Sequence, residues 1–468
     1  MNKEQLIAYL NKQAESRDYW KKRNWYYHKT IEKLVGFLVP AGETVLEIGS
    51  GMGDLLMHVN PKRGVGIDIS PKMVELAQKK YPQHEWVLMD AEEMRLGERF
   101  DYIILSDVLG YFFDVEKVFY NLKNISHDQT RVVITYFNYL WEPILRLAEV
   151  LGLKFRQPLQ HWLSEKDIEN LLYLAGFEII KRGKKIIFPI YIPLISAFIN
   201  RFIANFPLLN RLCLVQYFVA RPIPSESREY SISIIIPARN EKGNIEQVIL
   251  RLPHFGFYNE IIFVEGHSSD GTLDEIKKVS EKYAGKRNIR WLAQEGRSKG
   301  DAVRKGFSVA KGDILMILDA DLTVAPEDLP KFYEAMRSGR GEFINGSRLV
   351  YPMEKQAMRF LNILGNKFFS IMFSWLLGQR IKDTLCGTKV LFKKDYEKIA
   401  AGRSYFGDFD PFGDFDLLFG AAKLNLKIVE LPVRYHARTY GKTNIQRWKH
   451  GWLLLEMVVF AMRKIKFI

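Results

Sequence analysis

Short apolar runs alternate with helical patterns twice along this chain, and the alternation stops once, at RPIPSESREY (221–230). Before the break the strand candidates are TVLEIG (44–49), GVGIDI (64–69), EWVLMD (85–90), DYIILS (101–106), RVVITYF (131–137), FEIIKR (177–182) and LCLVQYFVA (212–220). Helical patterns such as PKMVELAQKKY and SEKDIENLLYLAG fill most of the gaps, the second opened by Ser164 and Asp167 as an N-terminal capping pair. After the break, SISIIIPARNE, EIIFVEG, IRWLAQ, ILMILDAD and EFINGSR begin a second series. Strands alternating with helices lie parallel, with helices over both faces of the sheet. The chain therefore reads as α/β with two domains, residues 1–222 and 231–468, joined by a linker at 223–230. No motif of one series recurs in the other, so the pattern is a fusion of two enzymes.

Composition narrows the setting. At 468 residues the chain exceeds one hydrophobic core, and 47% hydrophobic with 26% charged residues is ordinary for a globular protein. Two cysteines, Cys213 and Cys386, support neither a disulfide framework nor a zinc cluster and fit a reducing compartment. The polar, aromatic start MNKEQLIAYLNKQ lacks the apolar core of a signal peptide. Of the net charge of +14, most lies from Tyr230 onward, where 38 Lys+Arg face 27 Asp+Glu. That excess suits nucleotides, lipid phosphates or a membrane face. Nothing resembles a basic nucleic-acid-reading helix, so no nucleic-acid partner is expected.

No segment offers the roughly 20 uncharged apolar residues that span a bilayer. Residues 188–209 are broken by three prolines, Asn200, Arg201 and Asn205. WLLLEMVVFAM (452–462) carries Glu456 and is bracketed by Lys449, His450, Arg463, Lys464 and Lys466. It reads either as an amphipathic helix on a membrane surface or as a terminal helix packed on its own domain. A peripheral protein at the cytoplasmic face of the membrane, with no transmembrane helix, is expected.

In the first half, VLEIGSGMGDLL (45–56) is a strand, a glycine-rich turn and a helix start. Gly49, Gly51 and Gly53 permit the turn and let a ligand lie against bare backbone. A dinucleotide site or a plain tight turn would look similar, so the context decides. Asp68, followed by Ile69, ends the next strand, where a carboxylate can accept both ribose hydroxyls. Asp90, followed by Ala91, ends the third, within reach of an adenine amino group. Glu47-x-Gly-x-Gly-x-Gly, Asp68, Asp90-Ala91 and FDYIILSDVLGYF together resemble class I S-adenosylmethionine-dependent methyltransferases over about residues 20–222. The resemblance implies a Rossmann-like sheet of seven strands with an antiparallel last strand. It implies S-adenosylmethionine as cofactor, held by Glu47, Gly49, Gly51, Gly53, Asp68, Ile69, Asp90, Ala91 and Ser106. Where many relatives carry Glu-His after the position of Asp107, this chain reads Gly110-Tyr111, so no base is identified. Tyr26, Tyr27 and His28 either lid the site or pack in the core.

In the second half, ILMILDADLTV (314–324) ends an apolar run in Asp319 and Asp321. Two like charges so placed repel unless a cation lies between them. SIIIPARNE leads through Pro237, Ala238 and Arg239 to Glu241, and EIIFVEGHSSDGT through Glu265 to Asp270. Three strands thus bring acids to one sheet edge, the edge where α/β sheets bind ligands. A nucleotide diphosphate with a divalent ion fits, the ion bridging the carboxylates and the phosphates. This whole arrangement resembles family 2 glycosyltransferases with a GT-A fold, over about residues 230–450. The resemblance implies a nucleotide-sugar site of Pro237, Ala238, Arg239, Glu241, Glu265, Asp270, Lys299, Arg304, Asp319, Ala320 and Asp321, with Mg²⁺ or Mn²⁺ on Asp319 and Asp321. Gly266 stands where the family has a second acid, and Thr323 where mannosyl relatives carry glutamine.

NGSR (345–348), residues 358–378, DTLCGTKVLF (383–392) and PVRYHARTYGKTNI (432–445) resemble the polyprenyl-phosphate branch of that family, the dolichyl-phosphate mannose and glucose synthases. The acceptor this implies is a lipid monophosphate gripped by Arg348, Arg359, Arg438 and Lys442. Such an acceptor is already an anion and needs no strong base. The stretch with Phe360, Phe368, Phe369, Phe373 and Trp375 is either an acyl-chain groove or buried core. FGDFDPFGDFDLLF adds Asp408, Asp410, Asp414 and Asp416. By resemblance Asp414 and Asp416 arrange the acceptor loop, or one of them is the base for a hydroxyl acceptor on a growing glycan. The sequence thus reads as a bifunctional hexosyltransferase and methyltransferase. A membrane-associated scaffold with one inactive half is the competing class.

Overall fold

The structure is a computed structural model. It describes residues 2–158, 161–224, 226–351, 360–405, 413–438, 440–441 and 447–467; the side chains at 360–364, 414 and 447–451 are not among those described. The chain divides into two compact units, one up to Ile223 and the other from Pro224 to Lys466.

In the first unit the strands are β1 (Thr44–Ile48), β2 (Arg63–Asp68), β3 (Glu85–Leu88), β4 (Phe100–Ser106), β5 (Ser126–Phe137), β6 (Phe177–Lys185) and β7 (Val215–Pro222). They form one sheet in the order β3-β2-β1-β4-β5-β7-β6. β1 to β5 are parallel and β7 runs antiparallel to β5 and β6. Leu46, Ile48, Ile103 and Ile134 fill one side, while Val45, Ile104 and Val133 fill the other. Both faces are buried, which is why these strands read as continuous apolar runs rather than alternating ones. The strand order reverses between β1 and β4, so a cleft opens beyond their carboxyl ends.

The second unit contains β8 (Ile232–Ala238), β9 (Asn259–Glu265), β10 (Asn288–Ala293), β11 (Ile314–Ile317), β12 (Phe343–Ser347), β13 (Lys389–Phe392) and β14 (Ile428–Pro432). Their order is β10-β9-β8-β11-β13-β12-β14, with the reversal between β8 and β11. β13 is antiparallel to both β11 and β12. The sequence pattern marks β8 to β12 but neither β13 nor β14. They are four and five residues long, and β13 lies inside the stretch DTLCGTKVLF, which reads as an acceptor motif.

The aromatic helix Phe360–Leu377 divides between its two expected fates. Phe369, Phe373, Leu376 and Leu377 are buried, and Phe373 stacks 5.7 Å from Phe419. Phe368 and Ile371 face solvent. The terminal helix Arg447–Ala461 also has two sides, with Leu454, Met457 and Val458 buried and Trp452, Leu455 and Val459 exposed. Among the described residues no helix is long and apolar enough to cross a membrane.

Candidate functional site

In the first unit the turn after β1 has left-handed backbone at Gly49, Gly51 and Gly53, with φ of 70°, 53° and 81°. Space enforces glycine as well: a Cβ on Gly53 would lie 2.1 Å from the Trp86 ring, and one on Gly49 would lie 2.4 Å from Val108. Asp68 anchors the turn. Its Oδ2 accepts the Gly51 N–H at 2.9 Å, and its Oδ1 accepts the Ser70 N–H at 2.9 Å. Burial raises its pKa against the pull of those two donors. Glu47 is buried under the same turn, where Oε2 accepts the Leu56 N–H at 3.0 Å and so caps the following helix. Burial pushes its carboxyl up to about 8.

The helix Lys3–Arg23 borders this cleft. Lys3 Nζ lies 2.5 Å from Asp90 Oδ2, while Asp90 Oδ1 caps the short turn Ala91–Glu93 through the Glu92 N–H. Asn11 Oδ1 accepts the Ser70 hydroxyl at 2.7 Å. The Arg17 guanidinium is 3.4 Å from where a Gly51 Cβ would be, directly over the bare backbone. Ser106 Oγ is 2.9 Å from Thr135 Oγ1 at the end of β4. The cleft thus gathers Glu47, Gly49, Gly51, Gly53, Asp68, Asp90 and Ser106 around one switch point.

Sequence reasoning finds neither Arg17 nor the pair Tyr27–Asp107. Asp107 has a φ of 55°, rare outside glycine, and sits beside Val108 under Gly49. Its Oδ2 accepts the Tyr27 hydroxyl at 2.5 Å and its Oδ1 accepts Thr135 Oγ1 at 3.1 Å. Burial raises the pKa of the Asp107 carboxyl. Of the three expected lid residues, Tyr27 and His28 stand at this pair, their rings 5.4 Å apart. Tyr26 turns away to accept from Asn200 Nδ2 at 3.1 Å.

In the second unit the acids expected at one sheet edge do gather there. Glu265 Oε1 accepts the Ser268 N–H at 2.6 Å, and Glu241 Oε2 accepts Asn244 Nδ2 at 2.7 Å. Asp270 accepts the Thr272 N–H at 3.0 Å and the Tyr440 hydroxyl at 3.2 Å. Burial works against its charge, but the donors on Thr272 and Lys242 hold it below the usual carboxylate range. Arg239 is exposed, with Pro237 and Ala238 leading to it from β8.

Each carboxylate of the Asp-x-Asp pair has its own cation. Lys299 Nζ lies 2.6 Å from Asp319 Oδ1, and Arg438 Nη2 donates to Asp321 Oδ2 at 2.6 Å. Burial opposes ionisation of Asp319, yet Lys299 holds its carboxyl below the ordinary range, helped by Lys389 and Arg348. Arg438 Nη1 also donates to Glu241 Oε1 at 2.9 Å. Burial pushes Glu241 up to about 7, with Arg438 pulling against it. Thr323, at the expected glutamine position, donates N–H and hydroxyl to Asp321 Oδ1 at 3.1 and 2.7 Å. It therefore orients the aspartate. Lys299 is set by its helix start, where Ser298 and Asp301 form a capping box. Arg304, one turn on, pairs with Asp301 at 2.5 Å. A Cβ on Gly387 would lie 2.0 Å from Asp319 Oδ2, so glycine there makes room for the aspartate.

Two residues expected at the acceptor or as base have partners within the chain. Arg348 spends both arms on Asp383, at 2.7 and 2.8 Å, and lies half-buried over the Tyr435 ring. Asp416 is buried and accepts Arg403 Nε at 2.8 Å. In each case the local chain supplies the partner that the ligand was expected to supply. Arg359, Lys442, Asp408 and Asp410 lie outside the described residues, as does the side chain of Asp414. Asp414 begins the helix Asp414–Lys423, and a Cβ on its neighbour Gly413 would meet Gly300 Cα at 2.6 Å.

Among the described residues no cluster of three His, Cys, Asp or Glu side chains could hold a metal alone. Asp319 and Asp321 are hard oxygen donors of the kind that would hold Mg²⁺ or Mn²⁺. In the first unit, the open backbone over Gly51, the Arg17 guanidinium and the acids Asp68 and Asp90 suit a carboxylate, a ribose and an adenine.

Fold and site define a two-domain α/β transferase, one glycine-turn cofactor domain and one Asp-x-Asp sugar-nucleotide domain. Residues 233–399 match the family model described as glycosyl transferase family 2, and residues 19–182 match one described as a methyltransferase domain. The dolichol-phosphate mannosyltransferase of Pyrococcus furiosus is 31% identical over 248 residues, which are 50% of this chain and 67% of that protein. The low-salt glycan biosynthesis hexosyltransferase Agl6 of Haloferax volcanii is 25% identical over 230 residues, 47% of this chain and about half, 51%, of that protein's length. The solved glucosyl-3-phosphoglycerate synthase of Mycobacterium tuberculosis, in complex with Mn²⁺, uridine diphosphate and glucosyl-3-phosphoglycerate, aligns at 17% identity and a TM-score of 0.38, over 50% of this chain and 80% of that one. The chain belongs to glycosyltransferase family 2, and its residues 19–182 match a methyltransferase domain in the same polypeptide.

Proposed function

We propose that residues from about 231 transfer a hexose, with inversion, from a nucleotide diphosphate sugar to a polyprenyl phosphate, and that the first domain methylates a glycan or lipid-linked acceptor. The observation that carries the first part is the doubly compensated pair Asp319 and Asp321, ringed by Glu241, Glu265 and Asp270 at one sheet edge. A divalent ion on the pair would supply positive charge for the departing nucleoside diphosphate. Pro237 to Glu241, Glu265 and Asp270 would line the nucleoside, and Lys299 would face the phosphates. Arg438, with Lys442 and Arg359, would position the acceptor phosphate. Likeness to dolichol-phosphate mannosyltransferase supports the lipid acceptor. So does Asp416, whose carboxylate is tied to Arg403 instead of standing ready as a base. A hydroxyl acceptor with Asp414 as base is the second reading.

In the first domain the glycine turn and Arg17 would take the methionine moiety of S-adenosylmethionine, Asp68 the ribose and Asp90 the adenine. Tyr27 with Asp107 would accept the proton of an acceptor hydroxyl. We place the enzyme as a peripheral protein on the cytoplasmic membrane face, its terminal helix offering Trp452, Leu455 and Val459.

The test offers extracted polyprenyl phosphate and labelled nucleotide sugars to the purified chain. Label should enter the lipid, and Asp319→Asn with Asp321→Asn should abolish this while heats of S-adenosylhomocysteine binding stay unchanged. Label in a free saccharide alone selects the hydroxyl reading. An unchanged rate in the double variant removes the metal assignment, and the absence of any S-adenosylhomocysteine heat removes the methyltransferase assignment.

A further inference from the structure

β6 and β7 form an antiparallel pair in register to its very end, with Lys185 opposite Val215. The Leu214 N–H then donates to the Ile186 carbonyl at 2.6 Å. Two residues suffice to close a hairpin at such a point. Here the chain instead makes the long excursion 187–213, leaving and returning through one gap.

That excursion is built inside out. Its buried polar side chains are Ser196, Asn200 and Asn205, exposed by 0%, 8% and 4%. Asn200 Oδ1 accepts the Ile187 and Phe188 N–H groups at 2.9 Å each, and Ser196 Oγ accepts that of Ile192 at 2.6 Å. Asn205 and Asn210 cover the carbonyls of Arg201 and Ala204. The large apolar side chains point outward instead: Leu194 is 86% exposed, Leu208 77%, Phe206 58% and Phe198 57%. Soluble surfaces show the opposite preference, and apolar patches of this extent on a monomer mark an interface. Backbone satisfied from within and apolar groups turned out is what a hydrocarbon environment requires.

Charge narrows the occupant. Residues 187–213 contain no Asp or Glu, and their only formal charges are Arg201 and Arg211, both exposed. The patch continues onto the helix Glu142–Val150, joined to it where Trp141 Nε1 donates to the Leu212 carbonyl at 2.8 Å. Ile144, Leu147 and Val150 extend the apolar face there. Within 187–213, aromatic and aliphatic side chains around two arginines, with no acid, match the interface of an anionic bilayer, and on the adjoining helix Glu142 and Glu149 are paired with Arg146 and Lys154.

We infer that the excursion 187–213 is a membrane-docking surface of the methyltransferase domain, taking an anionic lipid interface. It goes beyond both proposed reactions and stands without either.

The test is flotation of the full chain with phosphatidylglycerol–phosphatidylcholine vesicles, compared with phosphatidylcholine alone. The wild-type chain should float with the anionic vesicles. Leu194→Ser with Phe198→Ser and Leu208→Ser should lower the bound fraction about tenfold, while the melting temperature and S-adenosylhomocysteine affinity hold. Both native cysteines are buried, so Leu208→Cys can carry an environment-sensitive fluorophore in an otherwise native chain. Its emission should shift to the blue on adding anionic vesicles. A triple variant that floats like wild type, or a label blind to vesicles, overturns the inference. So does a wild-type chain that stays unbound, or one in which ultracentrifugation shows the excursion buried between two copies.

Discussion

One guanidinium joins two acids at the sheet edge of the second unit: Arg438 donates to Asp321 at 2.6 Å and to Glu241 at 2.9 Å. These three residues come from sequence positions far apart, and the arginine supplies positive charge to both carboxylates. If the proposed divalent cation binds Asp321, it and Arg438 satisfy the same carboxylate.

Replacing Arg438 with alanine leaves Asp321 and Glu241 without their shared cation. In metal-free buffer this should cost about 2–3 kcal/mol of stability, read from the urea midpoint. Manganese should recover most of the loss. Equal losses with and without the ion would leave Arg438 a purely structural role.

Gly387→Ala tests the space that glycine leaves for Asp319. The added methyl meets two side-chain ends, Asp319 Oδ2 at 2.0 Å and Lys299 Nζ at 2.5 Å. Those ends can swing aside, so the fold should survive with a loss of about 1–3 kcal/mol. Sugar transfer should fall at least tenfold because the displaced pair is the one proposed to hold the ion. Full transfer activity would show that Asp319 need not stand where it does.

Glu47 predicts a pH dependence of folding. Burial pushes its carboxyl up from 4.5 to about 8, so between those values the folded state holds a proton that the unfolded chain has lost. Stability should therefore fall as pH rises through this window, by at most about 1.4 kcal/mol per pH unit from this group. Glu47→Gln keeps an oxygen for the Leu56 N–H and has nothing to titrate. Its urea midpoint should lack that part of the slope, and a slope identical to wild type would assign the effect elsewhere.

Tyr27→Phe and Asp107→Asn separate proton transfer from cofactor binding. Each should lower methylation of a membrane-extract acceptor by about 10²–10⁴-fold, the usual range for losing a general base. Heats of S-adenosylhomocysteine binding should move little. If affinity falls in step with rate, the pair shapes the cofactor pocket instead of accepting a proton.

Much of this was legible from the chain because parallel strands buried on both faces announce themselves as unbroken apolar runs. Glycines at 49, 51 and 53 were legible for a similar reason: left-handed backbone against Trp86 and Val108 admits nothing else. β13 and β14 were not, β13 lying inside a stretch that reads as an acceptor motif. Arg17, and the pairing of Tyr27 with Asp107, arise on helices upstream of the turn they meet, and no local pattern marks a contact set by a distant residue. Arg348 shows a further limit: its pairing with the buried Asp383, far along the chain, is not marked by any local pattern.

Gly413 rests on Gly300, with no side chain on either to cushion the contact. Gly300 follows Lys299 in the chain, and Gly413 precedes Asp414. Backbone lies against backbone between these two helix starts, so any side chain at position 413 would have to part the helix that begins at Lys299 from the one that begins at Asp414.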